Sequence, residues 1–138
     1  MNIYLSGGIY KDNLIATDYW RERATEYLLD RGFTVTNPCR NKLVYDAAAY
    51  TPKEITARDH MDIHNADLLL VNGNPVGDHL SWGTAMEIER AQFLGKPIVM
   101  FSVDDRTRLH PWCLSYCARI FDTLDETLVY IAKFWGSN

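Results

Sequence analysis

The chain has 138 residues, of which 47% are hydrophobic, and it is expected to form one globular domain over residues 1–138. No apolar run approaches the roughly 20 residues of a membrane span, and three cysteines without tight pairing (Cys39, Cys113, Cys117) favour a cytoplasmic protein over a disulfide framework. A formal charge of −4 without a basic block argues against a nucleic-acid polymer as partner, whereas a small anion can still be held by backbone N–H groups.

Apolar periodicity in the first half of the chain predicts alternating strands and helices. In order, these are a strand at residues 2–5, a loop at 6–8, a helix at 15–31, a strand at 33–36, a loop at 39–50 and a helix at 51–65. Gly32 is expected to end the first helix. Thr51 and Glu54 have the spacing of a capping box, with Pro52 at the first helical position, which marks the start of the second helix.

The second half continues the same alternation. It predicts a strand at residues 67–71, a loop at 73–80, a helix beginning at Ser81 and ending near Gly95, a strand at 97–101, a short strand at 119–121 and a helix at 123–134. Thr123 and Glu126 have the spacing of a second capping box. Residues 104–117 show no clear period.

The predicted strands are near-continuous apolar runs, which favours a parallel sheet covered on both faces. We therefore expect a three-layer α/β/α sandwich with a Rossmann- or flavodoxin-like sheet of about five strands. Ligands of such sheets bind beyond the carboxyl ends of the strands. The loops at 6–8 and 73–80 and the start of the helix at Ser81 share that edge.

Glu87 lies on a largely apolar helix, where Gly83, Thr84 and Ala91 are its neighbours at helical spacing. A carboxylate in this position is either buried or lines a cleft, which makes it a candidate catalytic group. The alternative is an ordinary glutamate near a helix start, favoured by the helix dipole.

Asp59 also interrupts an apolar stripe, between Ile55 and Ile63. It is a second candidate acid, and the alternative is an ion pair with Arg58 or Lys53.

Ser81 is placed as a helix N-cap, and a helix N-terminus with Gly83 in its first turn can also seat a phosphate. Gly7 and Gly8 could bring a second stretch of backbone to the same ligand. Tyr4, on the first strand, belongs either to the core or to the cleft.

Metal binding is not expected. His60 and His64 lie one helical turn apart but lack the glutamate of zinc proteases and a clear third ligand, so a surface or packing role is favoured. Cys113 and Cys117 are interpreted as small buried hydrophobes. Trp82, at a helix start, is a candidate for facing a base.

Several segments in their order resemble the nucleoside 2-deoxyribosyltransferase superfamily over most of the chain. They are IYLSGGI, a helix containing Trp20, the strand ending TNP, RDHMDIHNADLLLV, SWGTAMEIERA and GKPIVMF. The resemblance implies that Glu87 is the nucleophile and Asp59 the catalytic acid. It also implies that Tyr4 lies near the nucleophile and that Gly83 matches the glycine four residues before it.

One position departs from the transferase pattern. Transferases carry an aspartate six residues before the nucleophile, and this chain has Ser81 there. Serine is typical of the branch that hydrolyses nucleoside 5′-monophosphates. An aspartate would repel a phosphate, whereas a serine at a helix N-terminus accepts one. The resemblance therefore implies a phosphate held by Ser81, Gly83 and the loop Gly7–Ile9.

The expected activity is hydrolysis of the N-glycosidic bond of a (deoxy)nucleoside 5′-monophosphate, with no cofactor. A deoxyribosyltransferase, a non-catalytic nucleotide-binding module and an NAD glycohydrolase stay open as alternatives. The accepted base and the sugar also stay open, with the loop at 39–50 expected to help decide the base. The resemblance further implies a homodimer or larger homo-oligomer, in which the segment of Arg108, His110 and Trp112 contacts the site of a neighbouring copy.

Overall fold

A computed structural model describes residues 1–41 and 49–137. Its strands are β1 Asn2–Gly7, β2 Thr34–Thr36, β3 Leu68–Asn72, β4 Ile98–Phe101 and β5 Arg119–Phe121. Its α-helices are α1 Trp20–Leu29, α2 Pro52–Asn65, α3 Trp82–Phe93, α4 Asp105–Arg108, α5 Pro111–Tyr116 and α6 Leu124–Phe134. A π-helical turn, Ile15–Tyr19, leads into α1. No helix of the described part of the chain is long and apolar enough to cross a membrane.

The five strands form one parallel sheet in the order β2-β1-β3-β4-β5. One buried cluster joins the sheet to α1 and α6, and a second joins it to α2 and α3, so helices cover both faces. The predicted three-layer α/β/α fold is confirmed. The direction in which successive strands are added to the sheet reverses between β1 and β3. The carboxyl ends of these two strands, at Gly7 and Asn72, therefore border the crevice where ligands of such sheets bind.

Side chains of β1 alternate between the two layers. Ile3 and Leu5 belong to the core under α1 and α6, whereas Tyr4 belongs to the core under α2 and α3. Ser6 follows Tyr4 on the same face because side chains alternate along a strand. Two polar side chains of β1 therefore lie on the face that α2 and α3 cover.

Predicted boundaries hold to within a few residues, with two informative differences. The helix predicted over residues 15–31 is a π-helical turn followed by α1, which ends at Leu29. The segment 104–117, for which no period was found, contains the short helices α4 and α5. Elements of four and six residues are too short to display helical periodicity.

The two predicted capping boxes differ. At α2, the Thr51 side chain accepts from the backbone of Glu54, and the Glu54 side chain accepts from the backbone of Thr51. At α6, Thr123 caps the helix, but the Glu126 carboxylate accepts the Thr123 hydroxyl instead of its backbone N–H. The prediction of a capping box at Thr123 is therefore half right: the cap forms and its reciprocal bond does not.

Candidate active site

Glu87 of α3 is hydrogen-bonded to both polar side chains of β1. The Tyr4 hydroxyl donates a short bond to Oε2, and the Ser6 hydroxyl donates to Oε1 at 2.9 Å. Tyr4 and Ser6 are themselves fully buried. Both carboxylate oxygens thus have a fixed donor, and the orientation of the Glu87 carboxylate is set by a sheet strand that cannot easily shift.

The local sequence explains why Glu87 faces this strand. Thr84, Ile88 and Ala91 are the buried residues of α3 and fix the side that packs on the sheet. Glu87 lies beside this stripe, on the flank that α3 turns toward α2. It is partly buried and contacts Tyr4 and Ser6 without belonging to the apolar core.

Burial raises the pKa of Glu87 from an ordinary 4.5 to about 7. The hydrogen bonds from Tyr4 and Ser6 oppose this rise, the Asp59 carboxylate adds to it, and the Arg21 guanidinium opposes it. A carboxylate with a pKa near neutrality is more basic than an ordinary glutamate and is still ionised in a large fraction of molecules at pH 7. Such a group suits nucleophilic attack on an electron-poor carbon.

The partner hydroxyl keeps its proton. Burial, followed by the nearby Glu87 carboxylate, raises the pKa of Tyr4 well above its usual range. Tyr4 is therefore a permanent hydrogen-bond donor at any physiological pH, and it stabilises the ionised form of Glu87.

Asp59 of α2 lies near this pair and affects the pKa of both Tyr4 and Glu87. Its side chain is 20% exposed, and its Oδ1 is buried without a hydrogen-bond partner. Arg58 Nη2 lies 3.6 Å from that oxygen, too far for a hydrogen bond, and donates instead to the Pro38 carbonyl at 2.6 Å. Burial raises the pKa of Asp59 more than the Arg58 charge lowers it. A carboxyl group in this state is suited to donate a proton.

Ser81 has the predicted N-cap geometry. Its Oγ accepts from the Thr84 backbone N–H at 3.1 Å and from the Thr84 hydroxyl at 2.9 Å. Because both acceptor positions are used, the Ser81 hydroxyl proton is directed outward. Gly83, in the same turn, is open: an added Cβ would meet only Ser81 Oγ, at 3.9 Å. Packing within the chain therefore gives no reason for a glycine at residue 83.

The other two glycines predicted to bind phosphate are enclosed. Gly7 and Gly8 are buried, and Ile9 is partly exposed. A Cβ on Gly7 would lie 2.8 Å from the Trp20 ring, and one on Gly8 would lie 2.4 Å from the Tyr10 ring. Close packing against the buried Trp20 ring therefore requires glycine at residue 7, whereas at residue 8 the obstacle is the end of the partly exposed Tyr10 side chain, which can turn aside.

Sequence reasoning missed Arg21. This α1 residue is fully buried, and its guanidinium donates to the Gly7 carbonyl at 2.7 Å and to the Thr17 carbonyl. The sequence pattern indicates its burial, because Arg21 shares the apolar stripe of α1 with Ala24 and Leu28. An arginine in such a stripe needs buried acceptors, and these are the carbonyls of the loop after β1.

Three other predicted site residues lie on the opposite flank of α3. Trp82, His110 and Trp112 line a cavity of about 470 Å³ between α3 and α5, and Ser81 lies at the same cavity. Glu87, which faces β1, does not line it. His110 caps α5 by accepting from the Trp112 N–H at 3.3 Å. In one copy of the chain, these aromatic residues are therefore separated from Glu87 by the body of α3.

The remaining predictions concern histidines, cysteines and the loop after β2. Within residues 1–41 and 49–137, no group of three or more His, Cys, Asp and Glu could hold a metal ion, and His60 and His64 are exposed on α2. The three cysteines form no disulfide bond with one another. Burial raises the pKa of Cys117 to about 12, in keeping with its interpretation as a packing residue. Residues 42–48 of the predicted specificity loop lie outside the described residues.

Several solved structures have a similar fold. A 2-deoxyribosyltransferase from Bacillus psychrosaccharolyticus superposes with a TM-score of 0.74 at 22% identity, covering 94% of this chain and 92% of its own. A CMP N-glycosidase from Clostridium botulinum gives 0.64 at 20% identity, with 97% and 99% covered. A 2-desoxiribosyltransferase from Leishmania mexicana gives 0.71 at 17% identity, with 96% and 97% covered. No curated protein sequence matches.

These likenesses define the class of fold as that of the deoxyribosyltransferases and nucleotide N-glycosidases. The profile of the nucleoside 2-deoxyribosyltransferase family matches residues 3–126, and the chain belongs to that family. The matched range contains Tyr4, Asp59, Ser81 and Glu87. Family members are glycosyl transferases or N-glycosidases, which makes this chain a member of an enzyme family.

Proposed function

We propose that the protein hydrolyses the N-glycosidic bond of a (deoxy)nucleoside 5′-monophosphate and releases a free base and a sugar 5-phosphate. The observation that carries the proposal is the Glu87 carboxylate, fixed by Tyr4 and Ser6 at the crevice between β1 and β3. The leaving group is a base at C1′, and the transition state has oxocarbenium character, so an adjacent carboxylate stabilises it.

The first step forms a covalent glycosyl-enzyme. A Glu87 carboxylate oxygen forms a bond to C1′ while the bond from C1′ to the base nitrogen breaks. The electron pair of the broken bond goes to the base, and Asp59 supplies the proton that the departing base needs. Tyr4 and Ser6 keep the nucleophile oriented, and the Tyr4 proton stays on its oxygen because the pKa of Tyr4 is strongly raised.

The second step consumes water. The water oxygen forms a bond to C1′, the ester bond to Glu87 breaks, and the carboxylate is regenerated. The proton that the water loses returns to Asp59, which is a carboxylate after the first step. The two steps balance without a redox change, and water is the only co-reactant.

The phosphate is the feature that separates this proposal from nucleoside exchange. Ser81 directs its hydroxyl proton outward at the start of a helix of 12 residues, and Gly83 leaves the first turn open. A helix N-terminus with free N–H groups and a hydroxyl donor favours an anion. This arrangement is neutral, so it accepts a phosphate that a carboxylate at the same position would repel.

The direct test is a substrate panel. Purified protein is incubated with ribo- and deoxynucleoside 5′-monophosphates and the matching nucleosides, with and without a second free base, and released base is quantified by chromatography. Release from monophosphates alone is the expected result. Base exchange between nucleosides without release from monophosphates would contradict the hydrolase proposal and establish a transferase. No reaction with any substrate would favour a nucleotide-binding module.

A single substitution tests the phosphate position. Ser81→Asp keeps a good N-cap, so α3 is expected to fold unchanged, but it adds a negative charge beside the phosphate. We expect kcat/KM for monophosphates to fall about 100-fold and that for nucleosides to fall less than about threefold. Ser81→Asn, a neutral cap of similar size, is the matched control. Equal losses on both substrates would exclude a phosphate contact at Ser81.

Base exchange between deoxynucleosides is the second candidate activity, and the family match favours it. It uses the same first step, after which a second base replaces water at C1′. Ser81 is the observation against it, because a nucleoside offers a hydroxyl group there and no charge. The added free base in the panel separates the two activities.

We also propose that residues 1–138 act as one domain and that two or more copies assemble through the α3 and α5 flank. Trp82, Met86 and Phe93 of α3 and Trp112 of α5 are between 61% and 79% exposed. Large apolar side chains grouped on adjoining helices mark a contact surface. A second copy covering this flank would shield these residues and place its own His110 and Trp112 segment near the start of α3.

A further inference from the structure

Arg21 is a buried cation whose partners are all neutral. Its guanidinium donates to the carbonyls of Gly7 and Thr17 and lies 3.5 Å from the Gly8 carbonyl. Among the described residues it takes part in no salt bridge, and its Nε is buried without a partner. A buried charge usually has a counter-charge. The charge of Arg21 lowers the pKa of Glu87, and it also acts on whatever occupies the adjacent crevice.

The direction of the loop carbonyls fixes the direction of the loop amides. A trans peptide unit is planar, and its C=O and N–H groups point in opposite directions. The described chain contains no cis peptide. The pairing of Gly7 with Asn72 directs the Gly8 N–H toward β3. The Gly8 carbonyl lies toward Arg21, so the N–H group of Ile9 points away from Arg21.

Arg21 packs closely against the loop that follows β1. Gly7 packs against Trp20 and Asn72, and a Cβ there would lie 3.3 Å from Arg21 Nη2. The planar guanidinium group of arginine can donate to several carbonyls at once, and the single ammonium group of lysine cannot do so with the same geometry. Arg21 therefore supports the loop backbone from the α1 side.

We propose that Arg21 is the positioning residue that turns the Gly7–Ile9 backbone into a binding site for the 5′-phosphate and supplies the positive charge behind it. This inference rests on the proposed use of nucleoside 5′-monophosphates. The phosphate would accept a hydrogen bond from the Ile9 N–H group on one side and hydrogen bonds from the start of α3 on the other. Arg21 does not contact the phosphate and acts through the loop.

The test compares Arg21→Met and Arg21→Lys with Arg23→Met. Arg23 lies on the same helix, is exposed, and pairs with Asp125 at the surface, so its removal controls for the loss of an α1 arginine. Binding of ribose 5-phosphate is measured by titration calorimetry, and kcat and KM are measured for a monophosphate and its nucleoside. Thermal unfolding of each variant verifies that it is folded.

The kinetics are compared at about pH 9, where Glu87 is ionised with or without Arg21. We expect Arg21→Met to weaken ribose 5-phosphate binding about 30-fold and to raise KM for the monophosphate by a similar factor, with nucleoside kinetics changed less than about threefold. Arg21→Lys keeps the charge and should fall between wild type and Arg21→Met. If Arg21→Met does not fold, the inference is tested by Arg21→Lys alone. A KM raised for the monophosphate and not for the nucleoside supports it, and an unchanged KM for the monophosphate contradicts it. Arg23→Met should match the wild type.

Equal losses on monophosphate and nucleoside would show that Arg21 only supports the fold, and unchanged ribose 5-phosphate binding would show that it has no role in the phosphate site. Either result overturns the inference while base release by the wild type still supports the proposed function. Conversely, Arg21-dependent binding of ribose 5-phosphate by a protein that releases no base would support the phosphate site and contradict the hydrolase proposal.

Discussion

Two sides of α3 carry residues that are unusual for their surroundings, a partly buried carboxylate on one and exposed large apolar side chains on the other. On one flank, the polar Glu87 is partly buried and both of its oxygens are hydrogen-bonded to β1. On the other, Trp82, Met86 and Phe93 are large, apolar and mostly exposed. The polar side chain has its partners within the chain, whereas the apolar side chains face solvent. The proposed chemistry and the proposed assembly thus use different sides of one helix.

The difference follows from physical chemistry. A buried carboxylate is tolerated only where hydrogen bonds replace water, so its partners must belong to the same chain or a bound ligand. An exposed apolar stripe needs no specific partner atom and is stabilised by any matching surface that removes it from water. Substitutions on the two flanks should therefore have separate effects, the first on turnover and the second on mass in solution.

The largest effect is expected at Glu87. Glu87→Gln keeps the shape of the side chain and removes the nucleophilic oxygen charge, and we expect kcat to fall at least about 10⁴-fold. Glu89→Gln, two residues further along the same helix but on the other flank, should change kcat less than about threefold. Base release is the measurement, and near-wild-type turnover by Glu87→Gln would remove Glu87 from the mechanism.

The apolar flank should control assembly. Met86→Lys and Phe93→Lys place a charge in the proposed contact and are expected to weaken self-association at least about 100-fold. Light scattering after size exclusion should then give the 15.9 kDa monomer where the wild type gives a multiple of it. Leu29→Lys, an equivalent change at an exposed leucine of α1, should leave the mass unchanged. A wild-type monomer at every concentration would rule out the contact.

The pH dependence tests the partners of Glu87. With the pKa of Glu87 raised to about 7, kcat/KM should fall as pH drops below about 7, because the nucleophile becomes protonated. The bond from Tyr4 opposes this pKa rise, so Tyr4→Phe should shift the acid limb to higher pH. We expect a loss of about tenfold at pH 6 and less than about threefold at pH 9. Asp59 and Arg21, the other charged groups that affect Glu87, are unchanged in this variant.

The smallest effect is on stability. The folded-state pKa of Glu87, about 7, exceeds the ordinary 4.5, so the unfolded chain loses this proton first as pH rises. The stability present below pH 4.5 is therefore lost between about pH 4.5 and 7, by up to about 3 kcal/mol. Glu87→Gln escapes this loss, and its melting temperature should exceed that of the wild type by several degrees at pH 8, with the difference shrinking toward pH 4. A constant difference across pH would contradict the raised pKa.

The sequence predicted the fold and much of the candidate site because these depend on local patterns. Apolar runs marked all five strands, and Ser81 and Thr51 marked helix starts by their capping chemistry. Glu87 and Asp59 stood out because carboxylates interrupted apolar stripes. Arg21 interrupts the apolar stripe of α1 in the same way.

What the sequence did not show depends on contacts between distant residues. Nothing local to Tyr4 or Ser6 indicates that both hydroxyls meet one carboxylate, since that requires the position of α3 relative to β1. The pKa of Glu87 follows from its burial and its neighbours in space, which no spacing rule supplies. The short helices α4 and α5 contain too few residues for a period to appear.

The bonds from Tyr4 and Ser6 to Glu87 join residues 83 and 81 positions apart in the chain. They form only after β1 has paired with β3 and α3 has docked on both, steps that close long loops and are slow in parallel sheets. Recovery of turnover after dilution from denaturant should therefore lag behind recovery of helical circular dichroism. In this protein, activity would serve as a kinetic marker for the last stage of folding.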